Sequence, residues 1–541
     1  MTNSPTFQTI LEAAAEDKYR EVYQDIAPSR PSVSCEAALL LPKPQDAASF
    51  YVPARYVLAF WSFLGLVNMF ALRMDINMAI LDMVKNGSTS GMIPVMNRTV
   101  VAKPASNSRQ PNTFQWTEYQ QYLVLSAFYY GYFSTQILGG YASGRFGSKI
   151  ILGLGLLVAS LLTLATPFAA WQSYSLLLAC RVGQGLAQGL AQPCVHTLWS
   201  NWAPESEKSI LLTITYSGCQ LGTILAILVS CYICELQVQG GWQTVFYIFG
   251  CAGVVWSLFW FILIHDTPSQ HPRISQAERE YIQSNIKHSL NQKNIQINWA
   301  KVVTSPALYA IVAAHFANDW GNFALMTCFP SYLKNILNYD LTQNGFLSST
   351  PFFVLLVTNP LSGWMADRLR GRQLMTTKNT RKLVNSIGLF VPSCLVLAVC
   401  FIDGSRTAVV ALLVVAVGIS GFTMAGYSVS HLDIAPAFAG TLFGITNTIG
   451  TTTGFVGPVI LGALTKSQNT LQHWNTFFYI TSGIFFTGGL LFLLFAQGEP
   501  QPWISTPSEC SLQESAGTQN NSDTDKNVAD TTDFAESSTA E

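Results

Sequence analysis

Charged residues are scarce in this sequence. Only 11% of its 541 residues are Asp, Glu, Lys or Arg, whereas 49% are hydrophobic and the mean hydropathy is +0.29. A soluble domain carries about 25% charged residues, so this composition excludes an ordinary soluble enzyme. The net charge of −1 also gives no electrostatic basis for a nucleic-acid partner, and none is expected.

Two further patterns are missing. Residues 1–54 are polar and lack the basic and then apolar pattern of a cleavable signal peptide. We therefore expect the first membrane span to act as its own uncleaved signal. The sequence also has no Ser/His/Asp, metal-ligand or phosphate-binding constellation in a plausible aqueous site, so neither an enzyme nor a metal or cofactor site is predicted.

Long apolar runs dominate the sequence instead. A membrane span needs roughly 20 apolar residues, and such runs lie at 56–84, 122–143, 150–170, 174–199, 209–235, 244–264, 307–333, 345–366, 383–402, 408–429, 439–464 and 475–495. A polar segment separates the first six runs from the last six, which is typical of a duplicated bundle. The sequence therefore predicts an all-α membrane protein with about twelve transmembrane helices in two six-helix halves.

The polar stretches between the runs set the predicted domain boundaries. They give an N-terminal tail at 1–54, a first half at 55–265 with a polar loop at 85–118, a linker at 266–301, a second half at 302–497 and a disordered tail at 498–541. Helical patterns inside the polar parts lie at 11–23 and 275–289.

Two independent signs predict the orientation in the membrane. The loop at 85–118 holds two glycosylation acceptors, Asn86 and Asn97, and such acceptors are modified only on the lumenal or extracellular side. Basic residues cluster on the opposite side, at Arg145, Lys149 and between 368 and 382. The positive-inside rule places that second side, with both tails and the linker, in the cytoplasm.

The fourth run carries a polar stripe. Its members fall within an arc of roughly 120° on an otherwise apolar helix, and they are Arg181, Gln184, Gln188, Gln192 and His196. Ionisable and polar groups in hydrocarbon are costly and usually face a cavity or each other. We interpret the stripe as a cavity wall whose Arg181 captures an anion. Hydrogen bonding between helices is the alternative, but it does not require a guanidinium.

The first run also holds an arginine. Arg73 and Asn77 share a helix face, whereas Asp75 points nearly opposite. The planar fork of donors on Arg73 matches a carboxylate or phosphate, so two arginines fit an anionic substrate. The alternative is that Arg73 pairs with a carboxylate on another helix.

The seventh run occupies the same place in the second half as the first run does in the first half. It carries one polar stripe formed by His315, Asn318, Asp319 and Asn322. A carboxyl group in a low-dielectric setting takes up a proton readily, so Asp319 is a candidate proton or cation site. Neutralisation of an arginine is the equally weighted alternative. Polar residues at equivalent places in two repeats predict a binding site between them near the midplane.

A glycine and then a basic turn end both the second and the eighth runs. The residues are Gly140, Arg145, Gly147 and Lys149 after the second run, and Gly363, Asp367 and Arg368 after the eighth. A glycine lets two helices approach closely. We expect the charges of the turn to lock a cytoplasmic gate through pairs between the halves.

These turns resemble the cytoplasmic signature of the major facilitator superfamily, G-x-x-x-D-R-x-G-R-[RK], with Gly144 in place of the acid in the first copy. Other strings narrow the resemblance: FALR at 70–73, FYYGY at 128–132, RVGQGL at 181–186, LWSNWAP at 198–204, HLDIAP at 431–436 and GITN at 444–447. Over roughly residues 55–503 the chain is similar to the anion:cation symporter family, solute carrier family 17, which includes sialin, the vesicular glutamate transporters and the type I sodium–phosphate transporters.

The resemblance implies roles for three residues. Arg73 and Arg181 match the anion-binding arginines of the family, and Tyr132 matches a tyrosine of its central cavity. The proposed substrate-binding set joins these residues to the polar stripes, and it comprises Arg73, Tyr132, Arg181, Gln184, Gln188 and Asn318.

Three positions depart from the family pattern. Proton-coupled members carry Glu where this chain has Gln188, and glutamate carriers have His at Leu125 and Arg at Asn318. Because a glutamine cannot take up and release a proton, the resemblance does not imply proton coupling at that position. We expect Asp75 or Asp319 to take over any cation role.

The predicted function is secondary transport of a small organic or inorganic anion by alternating access. The coupling ion is Na⁺ or H⁺, or the flux is driven by voltage. A transporter-like anion sensor without net flux is the alternative. The partners predicted are the anion and the lipid bilayer, and we expect a monomer.

A short motif in the N-terminal tail bears on localisation. Glu36, Leu40 and Leu41 have the spacing of an acidic dileucine sorting signal, which sorting adaptors read. The alternative is a small apolar patch before the membrane. If the motif is used, it points to endosomes or lysosomes, and the predicted location is the plasma membrane or an endosomal, lysosomal or vesicular membrane.

Overall fold

The structure is a computed structural model that describes residues 52–84, 114–235, 241–286, 296–339, 341–402, 404–466 and 470–505. Several predicted features lie outside the described residues. These are the helix at 11–23, the sorting residues Glu36, Leu40 and Leu41, and the acceptor residues Asn86 and Asn97.

The first half of the described chain contains six long helical segments. They are α1 (Ala54–Met83), α2 (Glu118–Phe146), α3 (Ser148–Gln172), α4 (Tyr174–Ala191) followed by α5 (Cys194–Trp202), α6 (Lys208–Glu235) and α7 (Trp242–Leu263). Pro193 lies between α4 and α5. Because proline has no N–H to donate, it interrupts the fourth segment within the polar stripe, between Gln192 and His196.

The linker is short and ordered where the structure describes it. It contains a 3-10 turn (Pro268–Gln270), α8 (Gln276–Asn285), β1 (Gln296–Ile297) and α9 (Trp299–Val303). The hydroxyl of Ser275 accepts a hydrogen bond from the N–H of Glu278 and so caps α8. The helix predicted at 275–289 is confirmed over Gln276–Asn285, and residues 287–289 lie outside the described residues.

The second half repeats the pattern with more interruptions. Its segments are α10 (Pro306–Asp319) with a π-helical turn (Trp320–Leu325) and α11 (Met326–Asn335); α12 (Leu341–Gly371); α13 (Thr377–Val399); α14 (Arg406–Ser420) with a second π-helical turn (Met424–Ser428) and α15 (Val429–Ile434); α16 (Ala439–Thr451) with α17 (Thr453–Thr465); and α18 (Leu471–Phe495). The π-helical turns break the seventh and tenth segments at mid-length, and such turns are frequent at functional sites.

The start of the predicted disordered tail needs correction. The strand β2 (Ile504–Ser505) pairs antiparallel with β1, and the side chain of Trp503 is only 4% exposed. Residues 498–505 are therefore packed against the second half, because a tryptophan buries a large apolar surface.

Eight of the described segments are long and apolar enough to cross a membrane. The second, fourth, seventh and eighth segments do not meet this requirement for a long and continuously apolar helix. The fourth and the seventh are the segments that carry the polar stripes. The twelve segments in two sets of six confirm the predicted all-α membrane fold.

Each half has its own apolar core. Trp199, Trp202 and Trp260 are fully buried in the first half, and Trp320 and Trp474 in the second. The core of the first half also includes residues of α15 and α16, namely Val429, Leu432 and Phe443. The two halves are therefore packed together on this side of the molecule.

Glycines allow the halves to touch at the end where α2 and α12 terminate. A Cβ added at Gly140 would lie 2.6 Å from the Cα of Thr441, and one at Gly363 would lie 2.8 Å from the Cα of Ile210. Real Cβ atoms do not approach backbone so closely. The structure therefore has a closed end, and these two glycines, both predicted as gating residues, lie in its contacts.

We expect Gly140→Ala to open the closed end. Overpacking of this kind costs about 1–3 kcal/mol, which corresponds to roughly tenfold or more in the open population. The readout is the rate at which maleimide alkylates a Ser143→Cys thiol, followed by peptide mass spectrometry in detergent. Ser143 is a suitable probe because its hydroxyl is buried against Thr197 at 2.7 Å.

Gly144→Ala is the matched control for this experiment. It lies one helical turn from Gly140, and a Cβ there would meet nothing within 4 Å. Equal alkylation rates in the Gly140→Ala and Gly144→Ala backgrounds would contradict the assigned role of the glycine contact.

Candidate functional site

The two arginines singled out in the sequence lie side by side. Arg73 on α1 and Arg181 on α4 are 2% and 1% exposed, and the Arg181 guanidinium donates to the backbone carbonyl of Arg73 at 3.3 Å. Both guanidinium carbons also lie near the ring of Phe128, at 4.8 and 5.5 Å from its centroid. The structure thus brings two positive charges together, as predicted.

Arg181 is held by partners within the first half. It donates to the side-chain oxygen of Gln184 at 2.7 Å and lies 4.0 Å from the carboxylate of Asp75. The amide of Gln184 donates in turn to Thr163 and Thr166 on α3. Gln184 therefore positions the arginine, and Asp75, which points away from the Arg73 face as expected, neutralises it.

Arg73 is surrounded by aromatic rings rather than by acids. Its guanidinium carbon lies 4.3 Å from the centroid of the Tyr132 ring and 4.5 Å from that of Phe70. The Nε and Nη2 atoms are buried and have no hydrogen-bond partner among the described residues. Rings favour a cation by about 0.5–2 kcal/mol, but they leave these two donors unsatisfied.

Tyr132 joins the arginines to the second half. Its hydroxyl donates to the side-chain oxygen of Gln192 and accepts from the amide of Asn447 at 3.1 Å. Asn447 also donates to Gln136 on α2. The family-based assignment of Tyr132 to the centre of the molecule agrees with this position between the halves.

The seventh-segment stripe faces the same region from the second half. Asn318 accepts from Thr423 at 2.8 Å and donates to Tyr427 at 3.1 Å, so its hydrogen bonds are made within that half. Asp319 is 6% exposed, interacts electrostatically with Arg73, and its Oδ2 lies 3.6 Å from Nε2 of His315. Asn322 donates to the carbonyl of Asn318 within the same helix.

Gln188 is the one member of the fourth-run stripe whose side chain is buried without a partner. It is fully buried, and neither its amide nitrogen nor its oxygen has a hydrogen bond to a described residue. A buried amide without partners costs about 1–3 kcal/mol. Such a group stays available to a bound molecule.

Charged residues at the closed end join the two halves, and we name this group the latch. It comprises Glu205, Lys208 and Ser209 of the first half and Asp367, Arg370, Arg381 and Asp433 of the second half. The carboxylate of Asp367 accepts from the backbone N–H groups of Ser209 and Ile210, at 3.2 and 2.7 Å. These N–H groups belong to the first turn of α6, where the helix dipole favours a negative charge.

The centre of the latch is a buried ion pair. Arg381 donates to Asp433 at 2.7 Å within the second half and to the hydroxyl of Ser209 at 2.7 Å across the interface. Lys208 of the first half reaches the other oxygen of Asp433 at 3.3 Å. Asp433 is therefore shared by a cation from each half.

The predicted gating residues are only partly in the latch. Asp367 forms contacts between the halves, but Arg368 lies over the ring of Trp364 and is exposed. Arg145 contacts Tyr141 and Phe146 of its own helix, so the prediction that its charge pairs between the halves is wrong for the described residues. The first copy of the motif contributes its glycine rather than its charges to the closed end.

The turn residues of the first copy hold the first half together instead. Gly147 has a φ of +94°, a conformation that favours glycine, and the N–H of Lys149 donates to Asp266 at 2.7 Å. Of the latch residues, the sequence predicted only Asp367 as a gating residue and missed Glu205, Lys208, Ser209, Arg370, Arg381 and Asp433. Asp433, as an acid in the tenth segment, was the signal that could have found the site.

Comparisons with known proteins agree with this architecture. A family model of the Major Facilitator Superfamily matches residues 62–458. Human sialin is 39% identical over 493 residues, covering 90% of this chain and 98% of sialin. Human vesicular glutamate transporter 2 is 33% identical over 491 residues, covering 90% of this chain and 81% of that protein.

Solved structures support the fold. The proton:xylose symporter XylE superposes with a TM-score of 0.60 at 13% identity, covering 82% of this chain and 97% of XylE. The transporter FucP in its outward conformation gives a TM-score of 0.55 at 16% identity, covering 82% of this chain and all of FucP.

We expect Arg381→Ala to destabilise the folded protein by up to about 3–5 kcal/mol, the cost of breaking a buried ion pair, because Asp433 would keep only the more distant cation of Lys208. The measurement is the free energy of unfolding in detergent micelles. Arg372→Ala is the control, since Arg372 is exposed at the same end of the molecule. Equal stability of the two variants would remove the latch assignment.

The latch also predicts a dependence on pH. Burial alone would raise the pKa of Glu205, but the ammonium of Lys208 and the guanidinium of Arg370 outweigh it and hold the pKa below its ordinary value of 4.5. The carboxylate therefore stabilises the folded state fully above pH 4.5, and this contribution is lost as the pH falls through the lowered pKa.

We expect Glu205→Gln to lower the melting temperature at pH 7 and to have a shrinking effect as the pH falls below 4.5. The measurement is thermal unfolding of both proteins across this range. A difference that stays constant with pH would show that the carboxylate charge is not the stabilising feature.

Proposed function

The chain belongs to the Major Facilitator Superfamily, within the anion:cation symporter group of sialin and the vesicular glutamate transporters, and on this premise we propose that it moves a small anion across a membrane by alternating access. The sensor without net flux is not favoured, since the relatives with most of their length in common include proteins named as transporters.

One observation carries the proposal. Arg73 has two buried donors without a partner, and none of the described carboxylates lies within 4.0 Å of its guanidinium. A buried positive charge in this condition is costly. A carboxylate or phosphate bound to the guanidinium fork would satisfy both donors and the charge at once.

The surrounding residues support a site of this kind. Tyr132 and Phe70 form an aromatic wall beside Arg73, and Gln188 offers an unpartnered amide. Gln184 acts one step away, because its hydrogen bond fixes Arg181 beside Arg73. Asn318 borders the region from the second half. Because its side chain already bonds Thr423 and Tyr427, we expect it to shape the site rather than to bind the anion.

The latch supports the alternating-access part of the proposal. Its contacts connect the halves at one end only of the described chain, around Asp367 and Asp433. With the orientation predicted by the positive-inside rule, this closed end is cytoplasmic. Breaking the latch would then open the path to the cytoplasm, with both termini on that side.

The proposed substrate class follows from the two arginines and from one position, Asn318, at which this chain departs from the family pattern. Phosphate, urate, sialic acid, acidic amino acids and other organic anions all match paired guanidinium groups. Asn318 stands where glutamate carriers have an arginine. We therefore rank glutamate below the other anions, although one relative is named for it. The membrane is an organelle membrane or the plasma membrane.

We expect Arg73→Lys to reduce anion uptake at low concentration at least tenfold, because a lysine keeps the charge but loses the fork of donors. The assay is uptake of radiolabelled phosphate, urate, sialic acid and glutamate, each offered separately to proteoliposomes. Arg73 is a sharper test than Arg181, whose removal would leave Asp75 buried without its cation.

Arg406→Lys is the matched control, since Arg406 is exposed at the start of α14. Wild-type protein should take up at least one of the four anions, and the control should do the same. Normal uptake by Arg73→Lys, or no uptake of any anion by the wild type, would contradict the proposal.

A further inference from the structure

Three of the seven histidines meet between the halves. His196 comes from α5, His315 from α10 and His431 from α15, and each is at most 2% exposed. Their rings gather around Phe443, with centroids 4.1, 5.4 and 5.6 Å from that of the phenylalanine. Buried imidazoles must be fully hydrogen-bonded, so their partners reveal which nitrogens carry protons.

The backbone carbonyl of Ser428 fixes the ring of His431. A carbonyl can only accept, and it lies 2.9 Å from Nδ1 of His431, so this nitrogen carries a proton. Nε2 of His196 lies 3.2 Å from the same carbonyl and 3.3 Å from the hydroxyl of Ser428, which can donate to it. In a neutral His431 the other nitrogen, Nε2, is an acceptor, and it lies 2.8 Å from the hydroxyl of Thr446. The hydroxyl must donate to it.

Thr446 passes this constraint on to His315. Its single proton is used on His431, so its oxygen can only accept from Nδ1 of His315, which lies 2.9 Å away. Asn447 is a further side-chain hydrogen-bond partner of His315, and in a neutral His315 the Nε2 atom is then an acceptor. That atom faces Oδ2 of Asp319 at 3.6 Å, and this oxygen has no hydrogen-bond partner among the described residues.

Two acceptors thus face each other, and one additional proton resolves the conflict. The proton resides on Asp319 as a carboxylic acid that donates to Nε2, or on His315 as an imidazolium beside the carboxylate. Thr446 could instead donate to the carbonyl of Phe443 at 3.2 Å. Both nitrogens of His431 would then have to be donors, which places a buried imidazolium without an acid beside it, a costly arrangement.

We propose that Asp319 and His315 form the binding site of a proton that travels with the anion. This inference rests on the proposed function and adds the coupling ion and its site. Gln188 cannot supply such a proton, and Asp75 is already paired with Arg181. The Asp319–His315 pair is the remaining acid-base pair of the described central region.

The charges facing the pair explain how the proton and the anion are linked. Arg73 of α1 interacts with Asp319 across the interface, and Tyr132, Tyr427 and His431 approach from α2, the second π-helical turn and α15. An ionised Asp319 competes with a substrate anion for the charge of Arg73. Proton binding removes that competition, so proton and anion favour each other's binding by the same factor.

The test uses the full chain in proteoliposomes with the voltage clamped at zero. Labelled phosphate, urate, sialic acid and glutamate are offered separately while a pH difference is imposed. One coupled proton should accumulate the transported anion about tenfold per pH unit. We expect Asp319→Asn to reduce the accumulation ratio of the anion to about one. The variant should still exchange anion for anion, because its neutral amide imitates the protonated acid.

His315→Gln is the second variant. It removes the base and places an amide beside Asp319 that favours the ionised form, so half-maximal uptake should move to lower pH by about one unit or more. Glu280→Gln is the matched control, since Glu280 is an exposed acid on α8. Melting temperatures of all variants separate a folding defect from a coupling defect.

The outcomes distinguish the inference from the proposed function. Tenfold accumulation per pH unit by Asp319→Asn overturns the proton site but leaves anion transport intact. Anion exchange by the wild type without accumulation under the imposed pH difference would also overturn the proton site and leave anion transport intact. The absence of exchange of all four anions by the wild type overturns the proposed function itself.

Discussion

A charge inside a membrane protein must meet a compensating charge or dipole, and this constraint organises the molecule. Arg181 is balanced by Asp75, and Arg381 by Asp433, whereas among the described residues Arg73 is faced by aromatic rings and by the more distant Asp319. Because the cost of an unbalanced charge is high in low dielectric, the surroundings of Arg73 are where we propose that an anion and a proton bind.

The central site and the latch share a short helix. On α15, His431 belongs to the hydrogen-bonded histidines and Asp433, two residues on, to the latch. The start of α6 carries Lys208 and Ser209 in the latch, and Tyr216, further along that helix, bonds His196 at 3.1 Å. A shift of either helix therefore changes both places at once. This is a physical route by which occupancy of the site can bias the closed end.

Much of the fold was readable from periodicity. The twelve runs, the division into halves and the polar stripes of the fourth and seventh segments each appear where predicted, because a membrane span leaves few alternatives to a helix. The pairing of charges was less readable. Arg145 lies in a repeated motif, yet among the described residues its side-chain partners lie on its own helix, whereas Glu205 and Lys208, in a turn outside that motif, join the halves.

The sequence by itself determined the membrane fold, the position of both central arginines on their helices and the opposite direction of Asp75, since these depend on helical geometry alone. Only the tertiary structure decided which acid neutralises Arg181, which donors of Arg73 remain free and which nitrogen of His315 faces Asp319. Those facts depend on contacts between helices distant in sequence, and no local pattern encodes the partner of a buried polar group.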